Sequence, residues 1–146
     1  MGWGGQEIRI VRESLGMIRR GYRVIIAAPE KSSILKKARE AGITAFPAEF
    51  RKKSIPCILA MKSLLEREGV QILNTHSSAD SWVATMAAKI CKKKPLVIRT
   101  RHLSTPVGTS VLSRLIYDTL TDAIITTGEE IRQKMICRNR FRGEKI

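Results

Sequence analysis

Cysteine is scarce: Cys57, Cys91 and Cys137 are the only three in 146 residues. They are odd in number, far apart and without a Cys or His at metal-ligating spacing, which excludes a disulfide scaffold or a zinc module and leaves inert thiols. Aromatic residues make up only 5% of the chain, and acidic residues number 13 against 27 basic ones, a net charge of +14. The scarcity of acid points to anionic partners. Long apolar runs are also lacking. Stretches with little charge, such as Ser77 to Ala88, contain Ser, Asp and Thr and fall short of the ~18 apolar residues that cross a bilayer. Glu7 and Arg9 interrupt the N-terminus before a secretory apolar segment could form, so the expected location is the cytoplasm.

What is present is an alternation of two hydrophobic periods. Ile8, Val11, Leu15 and Ile18 lie at helical spacing within Gln6–Arg20, Gly21 ends the helix, and Tyr22–Ala28 follows as an apolar, β-branched strand. Ser32 starts a helix through Ala41, Gly42 ends it, and Ile43–Pro47 is a second strand. Ser54 caps a third helix with Pro56 in its first turn; Gly69 ends it before the strand Val70–Thr75. The pattern continues as helix Ser78–Lys92, strand Pro95–Thr100, helix Ser110–Thr119, strand Ala123–Thr127 and helix Glu129–Cys137. Helices and strands alternating through short loops require a mostly parallel sheet covered on both faces, a doubly wound α/β fold. Ligands of such sheets bind beyond the carboxyl ends of the strands.

Three strand-end or helix-start loops therefore carry the candidate chemistry. Gly2-Trp3-Gly4-Gly5-Gln6-Glu7 opens the first helix, where glycine amides can approach a phosphate. It departs from the dinucleotide fingerprint, whose third Gly falls on Glu7, and it lacks the Lys-Ser/Thr of a P-loop; a plain turn before a helix reads equally well. Asn74-Thr75-His76-Ser77-Ser78-Ala79-Asp80 is dense in polar groups, with Ser78 or Asp80 also explicable as helix caps. Arg99-Thr100-Arg101-His102 repeats the arrangement one strand later, and neighbouring strand ends would bring His76 and His102 to one rim. Arg99 and Arg101 are phosphate or carboxylate ligand candidates, expected on opposite faces so that at most one of them shares the pocket with His102. No Gly-x-Ser-x-Gly elbow or catalytic Cys-His spacing supports nucleophilic hydrolysis.

Together these stretches resemble the N-terminal half of a family 4 glycosyltransferase, the retaining, nucleotide-sugar-dependent group with the GT-B fold. The residues that carry the likeness are Gly4-Gly5-Gln6-Glu7, Arg20-Gly21-Tyr22-Arg23-Val24 (similar to the family's R-G-H-x-V turn), Ile72-Leu73-Asn74-Thr75-His76, Thr100-Arg101-His102, Ala123–Glu129 and Gly143-Glu144-Lys145-Ile146. The pattern around the two histidines looks most like members that build lipopolysaccharide or related envelope glycans. The resemblance implies one Rossmann-like domain over 1–146 that lacks its first strand and the C-terminal donor domain, and hence no transfer by these residues alone. It implies that Gly4 and Gly5 lie near the donor diphosphate, that His102 contacts the transferred sugar as the catalytic residue, and that Gln6, Glu7, His76 and Arg101 border the acceptor. A nucleotide-sugar is the implied co-substrate, with no metal or other cofactor.

The basic runs Lys36-Lys37, Arg51-Lys52-Lys53, Lys92-Lys93-Lys94 and Arg138–Lys145 suit a glycan or lipid-linked acceptor at the inner face of the plasma membrane, or simply solvated helix faces. The competing class is a non-enzymatic, doubly wound binding module whose basic surface meets nucleic acid or an anionic membrane. Low aromatic content and the lack of a recognition motif weigh against nucleic acid.

Overall fold

A computed structural model of the chain describes residues 4–50, 52–102 and 111–146. They form two compact units, 1–50 and 51–146. In the first, helix α1 (Gly5–Ile18) leads into strand β1 (Ile25–Ala28), helix α2 (Ser33–Glu40) and strand β2 (Thr44–Pro47). The second contains α3 (Ile55–Arg67), β3 (Ile72–Thr75), α4 (Ser78–Lys89), β4 (Leu96–Arg101), α5 (Val111–Arg114), β5 (Ala123–Thr126) and α6 (Glu129–Gln133).

The fold is α/β with parallel strands, as the alternating periods predict. β1 pairs with β2, Ile25 opposite Thr44. β3 pairs with β4, Ile72 opposite Leu96, and β4 with β5, Ile98 opposite Ala123. The ladders are thus two, of two and three strands, where the sequence suggested a single sheet. The first strand is shorter than expected: Tyr22 to Val24 lie outside it, and Tyr22 is 59% exposed.

The turns into β1, β2 and β3 are built alike. Gly21, Gly42 and Gly69 adopt φ values of +85°, +74° and +60°, a region costly to residues with a Cβ. In each case the next residue closes the helix end through a six-residue hydrogen bond: Tyr22 N–H to the Met17 carbonyl at 3.2 Å, Ile43 to Ala38 at 2.9 Å, and Val70 to Leu65 at 3.0 Å. This is the Schellman arrangement, and it satisfies carbonyls that the helix leaves without partners.

The first unit buries Val11, Ile26, Ala28, Leu35, Ala38 and Ile43 together. In the second, α3 packs on α4, whose Val83, Ala84, Ala87 and Ala88 are buried. A separate cluster joins Tyr117, Ile124, Met135 and Phe141. Here the expected helices change pitch. α5 continues as a π-helix over Leu115–Leu120, and α6 as another over Lys134–Arg138. Side chains satisfy the carbonyls at the first of these helices: the Thr121 hydroxyl donates to the Ile116 carbonyl at 2.7 Å, and the Lys145 ammonium donates to Asp118 and Thr121 carbonyls at 2.6 and 2.8 Å.

Gly42 isolates the backbone cost, because a Cβ there would meet nothing within 4 Å. Gly42→Ala should lower stability by ~1–2 kcal/mol in a urea titration, while Gly42→Asn, which tolerates positive φ better, should cost less. Equal losses for the two variants would contradict a conformational origin.

Candidate functional site

β3 and β4 run parallel with Thr75 opposite Arg99, so both strands release the chain at the same edge. The residue after β3 is His76 and the residue after β4 is His102. Their rings stack with centroids 5.2 Å apart and planes 29° from parallel. Nδ1 of His76 lies 3.0 Å from Nε2 of His102, so one of these nitrogens must carry the proton and the other accept it. The expected meeting of the two histidines at one rim is what forms.

The backbone that carries His76 is tied down by a capping box. Ser77 is the N-cap of α4, and its hydroxyl accepts from the Asp80 N–H at 3.3 Å. The Asp80 carboxylate reaches back to the Ser77 N–H, at 2.8 and 3.0 Å from its two oxygens, and to the His76 N–H at 3.1 Å. The cap role weighed for Asp80 is therefore its role, and Ser77 rather than Ser78 is its partner. Burial pushes the Asp80 carboxyl above its ordinary range, opposed by the His76 and Ser77 hydrogen bonds and then by the Arg99 charge. Behind the rim sits a buried hydroxyl layer. Ser81 Oγ lies 2.9 Å from Thr75 Oγ1 and 2.6 Å from the Ser77 carbonyl, and Thr100 Oγ1 donates to Asn74 Oδ1 at 2.9 Å.

The two arginines of β4 depart from expectation. Being two residues apart they share a face of the strand rather than opposing faces; depth separates them instead. Arg101 is half-buried at the strand end, and its carbonyl accepts from the Thr127 N–H at 3.3 Å. Arg99 is only 3% exposed, with its guanidinium 4.3 Å from the Tyr117 ring centroid. Burial lowers its pKa, while Tyr117 and Asp80 hold the charge in place. Arg99 is thus an internal cation seated on an aromatic face and not a ligand offered to the rim. Tyr117, stacked on Phe141 at 4.8 Å, had no sequence signal beyond its helical spacing.

In the first unit Gly4 is the N-cap of α1, in ordinary extended backbone. Its N–H donates to Glu7 Oε2 at 3.1 Å, so Glu7 caps its own helix. A Cβ on Gly4 would come within 3.3 Å of that oxygen, whereas one on Gly5 would meet nothing within 4 Å. Gln6 is half-buried in the same first turn. Gly2, Trp3 and Arg51, also singled out by the sequence, and Leu103 to Gly108, the continuation of the His102 loop, lie outside the described residues. Among the described residues no three His, Cys, Asp or Glu side chains gather as a metal site, and no helix is long and apolar enough to cross a membrane.

The family profile described as Glycosyltransferase Family 4 matches residues 3–146. The chain belongs to that family. A solved structure with the same fold, a glycosyltransferase from Rickettsia africae ESF-5, aligns with a TM-score of 0.79 at 17% identity. The alignment covers 98% of this chain and 38% of that one. This chain therefore spans well under half the length of that structural neighbour. No curated protein sequence gives a significant match.

Burial makes the native state favour the protonated Asp80 carboxyl. A carboxyl that binds its proton more tightly in the native state contributes stability that is fully present below its ordinary value of 3.8 and lost as pH rises through the native value. The stability of the unmutated chain relative to Asp80→Asn should therefore improve as pH is lowered from neutral toward 4, measured by urea unfolding at each pH. A difference that is constant or moves the other way would contradict the burial of this carboxylate.

Proposed function

We propose that the chain is the acceptor-side part of a retaining glycosyltransferase that moves a sugar from a nucleotide-sugar to an envelope glycan or lipid-linked acceptor of the lipopolysaccharide type. The single observation that carries the reading is the pair of imidazoles at adjacent parallel strand ends in a family 4 chain, the place where this sheet class binds ligands. In this reading His102 is the catalytic residue at the transferred sugar. His76 and Arg101 border the acceptor, as do Gln6 and Glu7. Gly4 and Gly5, at the positive end of α1, offer backbone amides to the donor diphosphate once Glu7 releases the Gly4 N–H. No metal is assigned a role; the nucleotide-sugar is the co-substrate. In this reading transfer also needs a domain that binds the donor.

His102→Ala in the full-length protein should lower turnover with nucleotide-sugar by roughly 10²- to 10³-fold, as expected for loss of one positioned polar contact in a transition state, with unchanged thermal unfolding. An unaltered rate would return His102 to a structural role.

A membrane surface as partner is supported by Lys92, Lys93 and Lys94, all exposed, and by α3, where Ile55 is 73% and Leu59 52% exposed just after Lys52 and Lys53. Each basic residue near an anionic surface is worth ~1 kcal/mol. Replacing Lys92, Lys93 and Lys94 together by Ala should weaken partitioning onto phosphatidylglycerol vesicles and reduce its salt dependence. Equal partitioning of the unmutated chain onto neutral and anionic vesicles would remove the membrane from the account.

A further inference from the structure

We propose that His76 and His102 are a single acid–base dyad that holds one shared proton between Nδ1 of His76 and Nε2 of His102, with His76 acting as the positioning residue for His102. The inference rests on the reading of His102 as the group nearest the reacting centre, and it goes beyond that reading by removing His76 from the list of simple acceptor contacts.

The geometry is that of a hydrogen bond rather than of two rings that happen to stack. The 3.0 Å nitrogen separation lies within the range of a normal hydrogen bond, and the backbone that leads into each ring is anchored. His76 is held by the capping box, its N–H bonded to Asp80 at 3.1 Å. His102 follows directly on the central strand of a three-stranded parallel ladder. One ring nitrogen of each imidazole is therefore committed to the other.

Proton counting follows. The neutral pair holds two ring protons, one of them in the bridge. Uptake of one more, from solvent or from a substrate hydroxyl or phosphate oxygen, forms one N–H bond and breaks one O–H bond, and the single positive charge spreads over both rings. A second added proton would set two cations a hydrogen-bond length apart. Among the described residues, α4 brings the Asp80 carboxylate to the His76 backbone, and β4 carries the cations Arg99 and Arg101 on the strand that His102 follows. The pair is thus built to carry one proton and to resist a second, and its titration belongs to the pair rather than to either residue.

The chain contains two histidines only, so a histidine-ring NMR titration between about pH 4 and 9 gives two sets of resonances and can be read directly. In the unmutated chain both rings should report both of two steps separated by more than about one pH unit. In His76→Gln, His102 should titrate in a single step with a displaced midpoint. Two independent one-step curves in the unmutated chain would overturn the dyad, and this holds even if the variant proves unstable. In the full-length protein, His76→Gln should lower kcat and move the acid limb of the pH–rate profile with little change in KM. The two readings fail separately: coupled titration with no effect of either histidine on transfer keeps the shared proton and removes the catalytic reading of His102, whereas independent titration with intact histidine dependence of transfer removes only the dyad.

Discussion

One half-buried carboxylate fixes the end of β3. Asp80 accepts from the N–H groups of Ser77 and His76 and closes the capping box of α4, so the turn between strand and helix has one conformation instead of several. A cap of this kind contributes ~1 kcal/mol. Its larger consequence is positional, because the His76 side chain leaves from the backbone it clamps. The cost is the burial of a charge, visible in the raised Asp80 pKa, and the Arg99 cation below offsets part of it.

Arg99 would itself be costly in the interior. Its seat on Tyr117, with Phe141 behind, supplies polarizable contact that adds to the attraction of the Asp80 carboxylate. The π-helical turn of Leu115–Leu120 carries Tyr117, which gives a physical reason for an irregular helix in this place. Widened turns of this type are common near functional sites. A rim histidine, a capping carboxylate, a buried arginine and an aromatic pair thus form one connected arrangement within the second unit.

Much of this was legible in the sequence, for reasons that differ by element. The three helix ends at Gly21, Gly42 and Gly69 could be placed because only glycine occupies positive φ cheaply. Parallel pairing followed from alternation of helix and strand, and the approach of His76 to His102 followed from their equivalent positions after neighbouring strands. The shortening of the first strand was not legible, since Tyr22-Arg23-Val24 has strand-like composition whether or not it is paired. Nor was the depth of Arg99: an Arg two residues before another in Arg99-Thr100-Arg101 looks like a basic rim, and only packing decides that one is internal. The π-helical turns left no trace either, because helical spacing is nearly the same at either pitch over so few residues.

In the proposed enzyme the two histidines work as a unit at the site of transfer. Residues that act as a unit lose their function together, so their effects are far from additive. The most direct measurement is a double-mutant cycle on kcat of the full-length protein with its nucleotide-sugar, using His76→Gln, His102→Gln and the pair of substitutions combined. The prediction is a combined loss no greater than that of the more damaging single substitution. A combined loss equal to the product of the two single losses would contradict it.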